Sequence, residues 1–341
     1  MGNDIQEDPI RFEKYSLGSF PTPLESLDRL SARLGGPRIW MKRDDLLGLG
    51  LGGNKVRKLE LFLAEARRRD CDTLLTVGAG QSNHVRLTAA AARRAGMKCE
   101  ALLFAEPQGR QGGNLLLDRI LGADLHRLPF SFSESTPARM AAAVDQAMKR
   151  IESGKGRPYF IPAGGAGDPG QVGYVGAVEE IREQGKAAGI PIGHLVTAVG
   201  TGGTLAGLLL GIRLYGCRWE ILAVSAVPRG LPGKTGLPSV GELVRTGARW
   251  LGKNLPPGPE EPDISYEFVG DGYGIPTAAS EAAIRLVAEE EGILLDPVYT
   301  SKAMAGLVSA IREGRFRRQD VVIFLHTGGT PALFSQAPTD G

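Results

Sequence analysis

A lysine closes a glycine-rich run, Gly48-Leu49-Gly50-Leu51-Gly52-Gly53-Asn54-Lys55. Val56, Leu59, Phe62, Leu63 and Ala66 follow at spacings of three and four, so the segment predicts a loop running straight into a helix. Asn54 suits the N-cap, which puts Lys55 in the first turn. The partial positive charge of a helix N-terminus disfavours an ammonium there and lowers the amine pKa. Such an amine attacks carbonyls readily, as Schiff-base chemistry requires. A second run, Gly200-Thr201-Gly202-Gly203-Thr204, lies between an apolar stretch and another helical pattern. Its glycines let backbone N–H groups converge, its threonines add hydroxyl donors, and a helix start favours an anion. A tight strand-to-helix turn is the plainer use of those glycines; a phosphate cradle is the chemical one.

The elements around these runs alternate. Ile39–Arg43, Thr73–Val77, Cys99–Phe104, Leu125–Leu128, Tyr159–Pro162, Leu195–Val199, Glu220–Val227 and Val321–Leu325 read as strands. Between them the spacing predicts helices near Leu24–Leu34, from Lys55, and over His84–Arg94, Asn114–Leu121, Gln171–Ala188, Leu205–Leu214, Pro276–Glu291 and Lys302–Arg312. Thr136-Pro137 offers an N-cap with proline behind it, opening a helix to about Ile151. Residues 228–263 are rich in Pro and Gly and give no clear element. Strands alternating with helices imply an α/β fold of parallel sheets flanked by helices, with ligands beyond the carboxyl ends of the strands. Three loops fall there: Gly78–Asn83, Gly200–Thr204 and Thr327–Thr330.

Size and composition narrow the classes. A chain of 341 residues makes two domains or one large one. A net charge of +2 gives no electrostatic reason to expect nucleic acid or an anionic membrane as partner. No apolar run approaches the ~20 residues of a membrane span. The N-terminus, with Asp4, Glu7, Asp8 and Arg11, shows no apolar signal region. Cys71, Cys99 and Cys217 are odd in number and form no C-x-x-C pair, which suits a reducing, cytoplasmic compartment. The four histidines are scattered, so no metal site is expected.

Neither common nucleotide fingerprint fits. Gly200-x-Gly202 lacks the third Rossmann glycine, and Lys55 is followed by Val56 where a Walker A loop needs Ser or Thr. What remains is a small phosphorylated cofactor that also needs a lysine, and pyridoxal phosphate carries both an aldehyde and a phosphate.

Five stretches then carry a family resemblance. They are Lys42-Arg43-Asp44-Asp45…Gly52-Gly53-Asn54-Lys55-Val56-Arg57-Lys58-Leu59-Glu60; Gln81-Ser82-Asn83-His84-Val85-Arg86; Gly113-Asn114-Leu115-Leu116-Leu117-Asp118; Tyr273-Gly274-Ile275-Pro276; and Asp296-Pro297-Val298-Tyr299-Thr300. In this order they resemble the 1-aminocyclopropane-1-carboxylate deaminase / D-cysteine desulfhydrase family, which are fold-type II pyridoxal-phosphate enzymes, tryptophan synthase β-like. The resemblance runs from about Lys42 to Pro331. It implies a large cofactor-binding domain built from residues 1–60 and 171–341, a small inserted α/β domain over 61–170, and a homodimer.

The resemblance also implies roles. Lys55 would bind the aldehyde, next to Asn54. Asn83 would meet the cofactor 3′ oxygen, and Gly200, Thr201, Gly202, Gly203 and Thr204 would hold the phosphate. Ser82, with Asn83 and His84, would receive the substrate carboxylate. Tyr273 and Tyr299 would line the substrate side, with Thr327 also at the cofactor. Either Lys55 or a tyrosine would take the Cα proton. In the cyclopropane-opening deaminases a glutamate follows the second tyrosine and faces the pyridine nitrogen; here Thr300 stands in that place. A hydroxyl makes the ring a weaker electron sink, which suits elimination of a thiolate from D-cysteine or a near relative. The alternatives are cyclopropane deamination, sulfite elimination from cysteate (Arg57, Arg86 and Arg229 could serve an acidic substrate), and a protein that holds the cofactor without turnover.

Overall fold

The computed structural model describes residues 9–105 and 112–335, so Asp4, Glu7 and Asp8 lie outside the described residues. Two sheets organise the chain. The first has five strands in the spatial order β1 (Leu24–Ser26), β2 (Arg38–Arg43), β9 (Val321–His326), β7 (His194–Val199), β8 (Glu220–Ser225). The second has four, β5 (Asp124–Arg127), β4 (Lys98–Leu103), β3 (Thr73–Gly78) and β6 (Pro158–Ile161). Every pairing is parallel except β1 with β2, an antiparallel edge.

Strand alternation sends side chains into two cores on either face of the five-stranded sheet. Val321, Ile323 and Leu325 of β9 join α6 (Gly173–Ala188), α7 (Gly203–Leu214) and α8 (Val240–Trp250). Val322 and Phe324 join α1 (Asp28–Leu34), α9 (Ala278–Glu291) and α10 (Thr300–Arg312). In the second sheet Leu74, Cys99 and Ile161 pack on α2 (Lys55–Arg68) and α3 (Asn83–Arg94), while Leu75, Val77 and Leu102 pack on α5 (Pro137–Ser153). A further short helix, α4 (Gly113–Ile120), lies beside α3. All six residues of β3 and of β9 are buried, as strands covered on both faces require.

Two stretches differ in kind from the sequence reading. Leu24–Ser26 is a strand and not the start of a helix, because it pairs with Trp40–Lys42; α1 begins only at Asp28. The stretch 228–263 contains α8, opened by Ser239, whose hydroxyl accepts from Glu242 N at 3.2 Å. Its apolar residues Val240, Leu243, Val244 and Ala248 do have helical spacing, but the surrounding Pro and Gly mask it. Helix starts also move by two residues: α6, α7, α9 and α10 begin at Gly173, Gly203, Ala278 and Thr300, against Gln171, Leu205, Pro276 and Lys302 read from sequence. Among the described residues no helix is long and apolar enough to cross a membrane, and the three cysteines are free thiols.

Candidate active site

The loops after β3, β6, β7 and β9 converge with the start of α2 on one cleft of about 900 Å³, part of it open to solvent. Of the residues singled out from sequence, Asn54, Lys55, Ser82, Asn83, His84, Gly200, Thr201, Gly202, Thr204, Tyr273, Tyr299 and Thr327 line it. Gly203 and Thr300 do not.

Lys55 opens α2, as expected, but the local chemistry differs from the sequence reading. Asn54 holds the N-cap position without capping. Its amide donates instead to Thr204 Oγ1 at 3.0 Å, tying the start of α2 to the start of α7. Burial lowers the Lys55 amine to about 8. The glycines ahead of it are required by space. A Cβ on Gly52 would collide with the Asp45 carbonyl, and one on Gly53 would come within 3.0 Å of the Thr327 carbonyl. Both have positive φ, at 68° and 124°. Leu51 turns outward, 62% exposed, and does not shape the pocket.

The second glycine run fits an anion. Gly202 precedes α7 at φ 85° with no side-chain cap, so the first-turn N–H groups of that helix are left for another partner. Beneath them lies Lys58, fully buried, with Gly164 O at 3.1 Å and, among the described residues, no carboxylate in contact. A Cβ on Gly203 would stand 2.9 Å from the Lys58 Nζ. Burial, and then Lys55, push the Lys58 amine well below its ordinary value. A buried lysine aimed at a helix N-terminus is doubly unfavourable unless an anion lies between them. A phosphate meets that demand. Lys58 was not singled out from sequence, although its i+3 spacing from Lys55 puts both amines on one helix face.

On the opposite side, Ser82 caps α3, accepting from Val85 N at 3.3 Å, and keeps its O–H free to donate. Asn83 is held by Asn114, whose amide donates to Asn83 Oδ1 and to Gln81 O, both at 2.8 Å. Sequence reasoning missed Gln81 and Asn114 as supports because they act through other residues. His84 is 2% exposed, with Nε2 2.9 Å from Thr76 Oγ1. Burial, Lys55 and Lys58 keep its imidazole well below the usual range, so it is neutral near pH 7. The Tyr273 and Tyr299 hydroxyls are 2.8 Å apart. Burial, then Tyr273, raises the Tyr299 phenol well above its ordinary value. A side chain at Gly200 would press on the Tyr299 ring, 3.0 Å from Cε1.

Thr300 corrects the sequence reading. It is fully buried, donates to Asp296 Oδ1 at 2.7 Å and accepts from Asp296 N at 2.7 Å. Asp296 also receives the N–H groups of Val298, Tyr299 and Thr300, so the pair secures the start of α10. The cleft-lining hydroxyl nearest in the chain to β9 is that of Thr327. The three arginines considered for acidic substrates do not line the cleft either. Arg57 is locked between Asp44 and Glu180, Arg86 donates to Gly52 O at 3.1 Å, and Arg229 lies over the Tyr266 ring. Elsewhere, Glu100, Asp124 and His126 lie close enough to share a cation, but the Arg150 guanidinium already contacts Glu100 and His126.

A buried lysine pair, one amine lowered to about 8 and one beside an anion cradle, is what a phosphorylated aldehyde needs. The model of the family described as "pyridoxal-phosphate dependent enzyme" matches residues 15–328. This chain belongs to that family. A D-cysteine desulfhydrase of Klebsiella pneumoniae is 42% identical over 330 residues, covering 96% of this chain and 97% of that one. A crystal structure of an "ACC deaminase homologue" superposes with a TM-score of 0.82 at 34% identity, covering 95% of this chain and 94% of the other. An L-serine ammonia-lyase of Rhizomucor miehei shares the fold, with a TM-score of 0.65 at 19% identity over 93% of this chain and 95% of its own. The cofactor is therefore pyridoxal phosphate, and the protein is an α/β enzyme of fold type II.

Proposed function

We propose that this pyridoxal-phosphate enzyme eliminates sulfide from D-cysteine, giving pyruvate and ammonia after hydrolysis. The observation that carries the reading is the lining of the cleft: among the described residues it contains no Asp or Glu and no Arg. Without a carboxylate the cofactor ring would meet a hydroxyl, for which Thr327 is the candidate, and the ring stays a modest electron sink. Cyclopropane opening needs a strong one, whereas a departing thiolate takes the electrons itself. Without an arginine, a sulfonate side chain has no cation reserved for it. The relatives named D-cysteine desulfhydrase support the same choice.

When bound, the cofactor supplies an aldehyde for amines and a ring that delocalises charge from Cα. Lys55 is the residue for the aldehyde, and its amine, at about 8, is a free base in useful fraction near neutral pH. Gly200–Thr204, Asn54 and Lys58 would hold the phosphate, and Asn83, fixed by Asn114, the 3′ oxygen. Ser82 O–H and the first-turn N–H groups of Asn83 and His84 would orient the substrate carboxylate. The hydroxyl pair of Tyr273 and Tyr299 can hold a proton and pass it at the reacting side chain.

The same reading takes 61–170 as the small inserted domain and 1–60 with 171–341 as the large one. It takes the enzyme as a cytoplasmic homodimer. Leu116 and Ile120 on one face of α4, and Phe334 in the turn packed against it, leave 47%, 70% and 75% of their surface exposed, which favours a covered apolar face. The test is stoichiometric sulfide and pyruvate release from D-cysteine, with L-cysteine and D-cysteate alongside. Turnover of cysteate in preference to D-cysteine refutes the leaving-group assignment.

A further inference from the structure

Tyr273 sits on a segment with little structure of its own. Between α8 and α9 the chain from Tyr266 to Pro276 forms no helix or strand. Gly270, Gly272 and Gly274 have positive φ, at 65°, 155° and 74°. Glycines at such spacing give the backbone wide freedom, and holding it in one conformation costs more entropy than for other residues. The segment's internal hydrogen bonds are long, Val269 N to Tyr266 O at 3.3 Å and Ile275 N to Gly272 O at 3.5 Å. Yet the Tyr273 hydroxyl must meet that of Tyr299 at 2.8 Å.

The hold comes from α10. Lys302 is fully buried, and its Nζ donates to Val269 O at 2.6 Å and to Gly272 O at 3.2 Å. One ammonium thus gathers two carbonyls of the loop, the second belonging to the residue directly before Tyr273. Tyr299 is the N-cap of the same helix, and Lys302 is its third residue. A single helix end therefore grips Tyr273 twice, by its backbone through Lys302 and by its hydroxyl through Tyr299. The first turn of a helix is a poor place for a cation. Asp296, anchored under the same turn, supplies the opposing charge. A lysine accepted there against both burial and dipole points to a task at the loop.

We propose that Lys302 is a positioning residue for the reaction: it clamps the 269–272 backbone so that the Tyr273 hydroxyl stays in register with Tyr299 and the cleft. The proposal rests on the working role given to Tyr273 above. It is carried by the two hydrogen bonds and the shared helix, and it assigns no contact with substrate to Lys302 itself.

A double-mutant cycle tests it, with Lys302→Met, Tyr273→Phe and the combined variant, each saturated with cofactor. A small displacement of a working group costs up to about 100-fold, so Lys302→Met should lower kcat by about 10- to 100-fold with KM nearly unchanged. In the Tyr273→Phe background the same change should cost less than about twofold, because the hydroxyl it positions is gone. Amide hydrogen exchange over 266–275 should quicken by about tenfold or more in Lys302→Met. Equal losses in both backgrounds, or unchanged exchange, overturn the proposal. If Lys302→Met does not fold, Lys302→Gln, which keeps two N–H donors without the charge, goes through the same cycle. A wild type that releases no sulfide, or a fully active Tyr273→Phe, refutes the functional reading instead. The cycle is then scored on exchange of the amino-acid Cα proton with solvent deuterium, which needs no leaving group.

Discussion

Replacing Lys58 by Met separates the two states of this enzyme in opposite directions. In the proposed holoenzyme the Lys58 amine and the uncapped first turn of α7 would face a common anion. Removing one partner of a buried charged contact costs about 2–5 kcal/mol, so the variant should bind pyridoxal phosphate at least about 30-fold more weakly. In the apoprotein the same lysine is a buried amine with one carbonyl partner, and burial holds it well below its ordinary value. Exchanging it for an apolar side chain of similar length should stabilise that state by about 1–4 kcal/mol, raising Tm by a few degrees. The assay is thermal unfolding of apo and holo forms, with cofactor affinity by equilibrium dialysis. Inorganic phosphate should raise the apo Tm of wild type and not of Lys58→Met. Affinity within about twofold of wild type, or a lowered apo Tm, refutes the placement of the phosphate beside Lys58.

Other outcomes follow from the same geometry. Borohydride reduction and peptide mapping should label Lys55, and a label elsewhere removes it from its role. Because the Lys55 amine is lowered to about 8 in the folded protein, the unfolded chain binds the extra proton between there and 10.5. Apoprotein stability should therefore rise with pH across that window, and a Lys55→Met variant should show a shallower rise, the remainder coming from Lys58 and the other buried lysines. Thr300→Glu would put a carboxylate against Asp296 in a fully buried place; it should destabilise the fold by about 2–4 kcal/mol, measured by urea unfolding. Unchanged stability means the side chain turns elsewhere. Leu116→Asp with Ile120→Asp should shift sedimentation from dimer to monomer, and a dimer that persists places the interface on another face.

The strand-loop-helix scheme was legible because burial on both faces leaves continuous apolar runs such as Thr73–Val77 and Val321–Leu325. That Lys55 and most of both glycine runs meet at one cleft was legible for a local reason: sharp turns into helices constrain neighbours in sequence. Elements set by distant pairing were not. Leu24–Ser26 becomes a strand only because β2 lies beside it. The roles of Thr300, Asp296 and Lys58 depend on which way a side chain points after folding, and nothing in the order of residues states that Thr300 turns to Asp296 while Thr327 lines the cleft. The same holds for Arg57 and Arg86, basic residues beside site motifs that the fold spends on Asp44, Glu180 and the Gly52 carbonyl.

A cleft whose described lining holds no carboxylate should run thiolate elimination and not ring opening. The most direct measurement compares kcat/KM for D-cysteine, followed as sulfide, with that for 1-aminocyclopropane-1-carboxylate, followed as 2-oxobutanoate, on one preparation of holoenzyme. Ready sulfide release and negligible 2-oxobutanoate are expected. Ring opening faster than sulfide release contradicts that reading of the cleft.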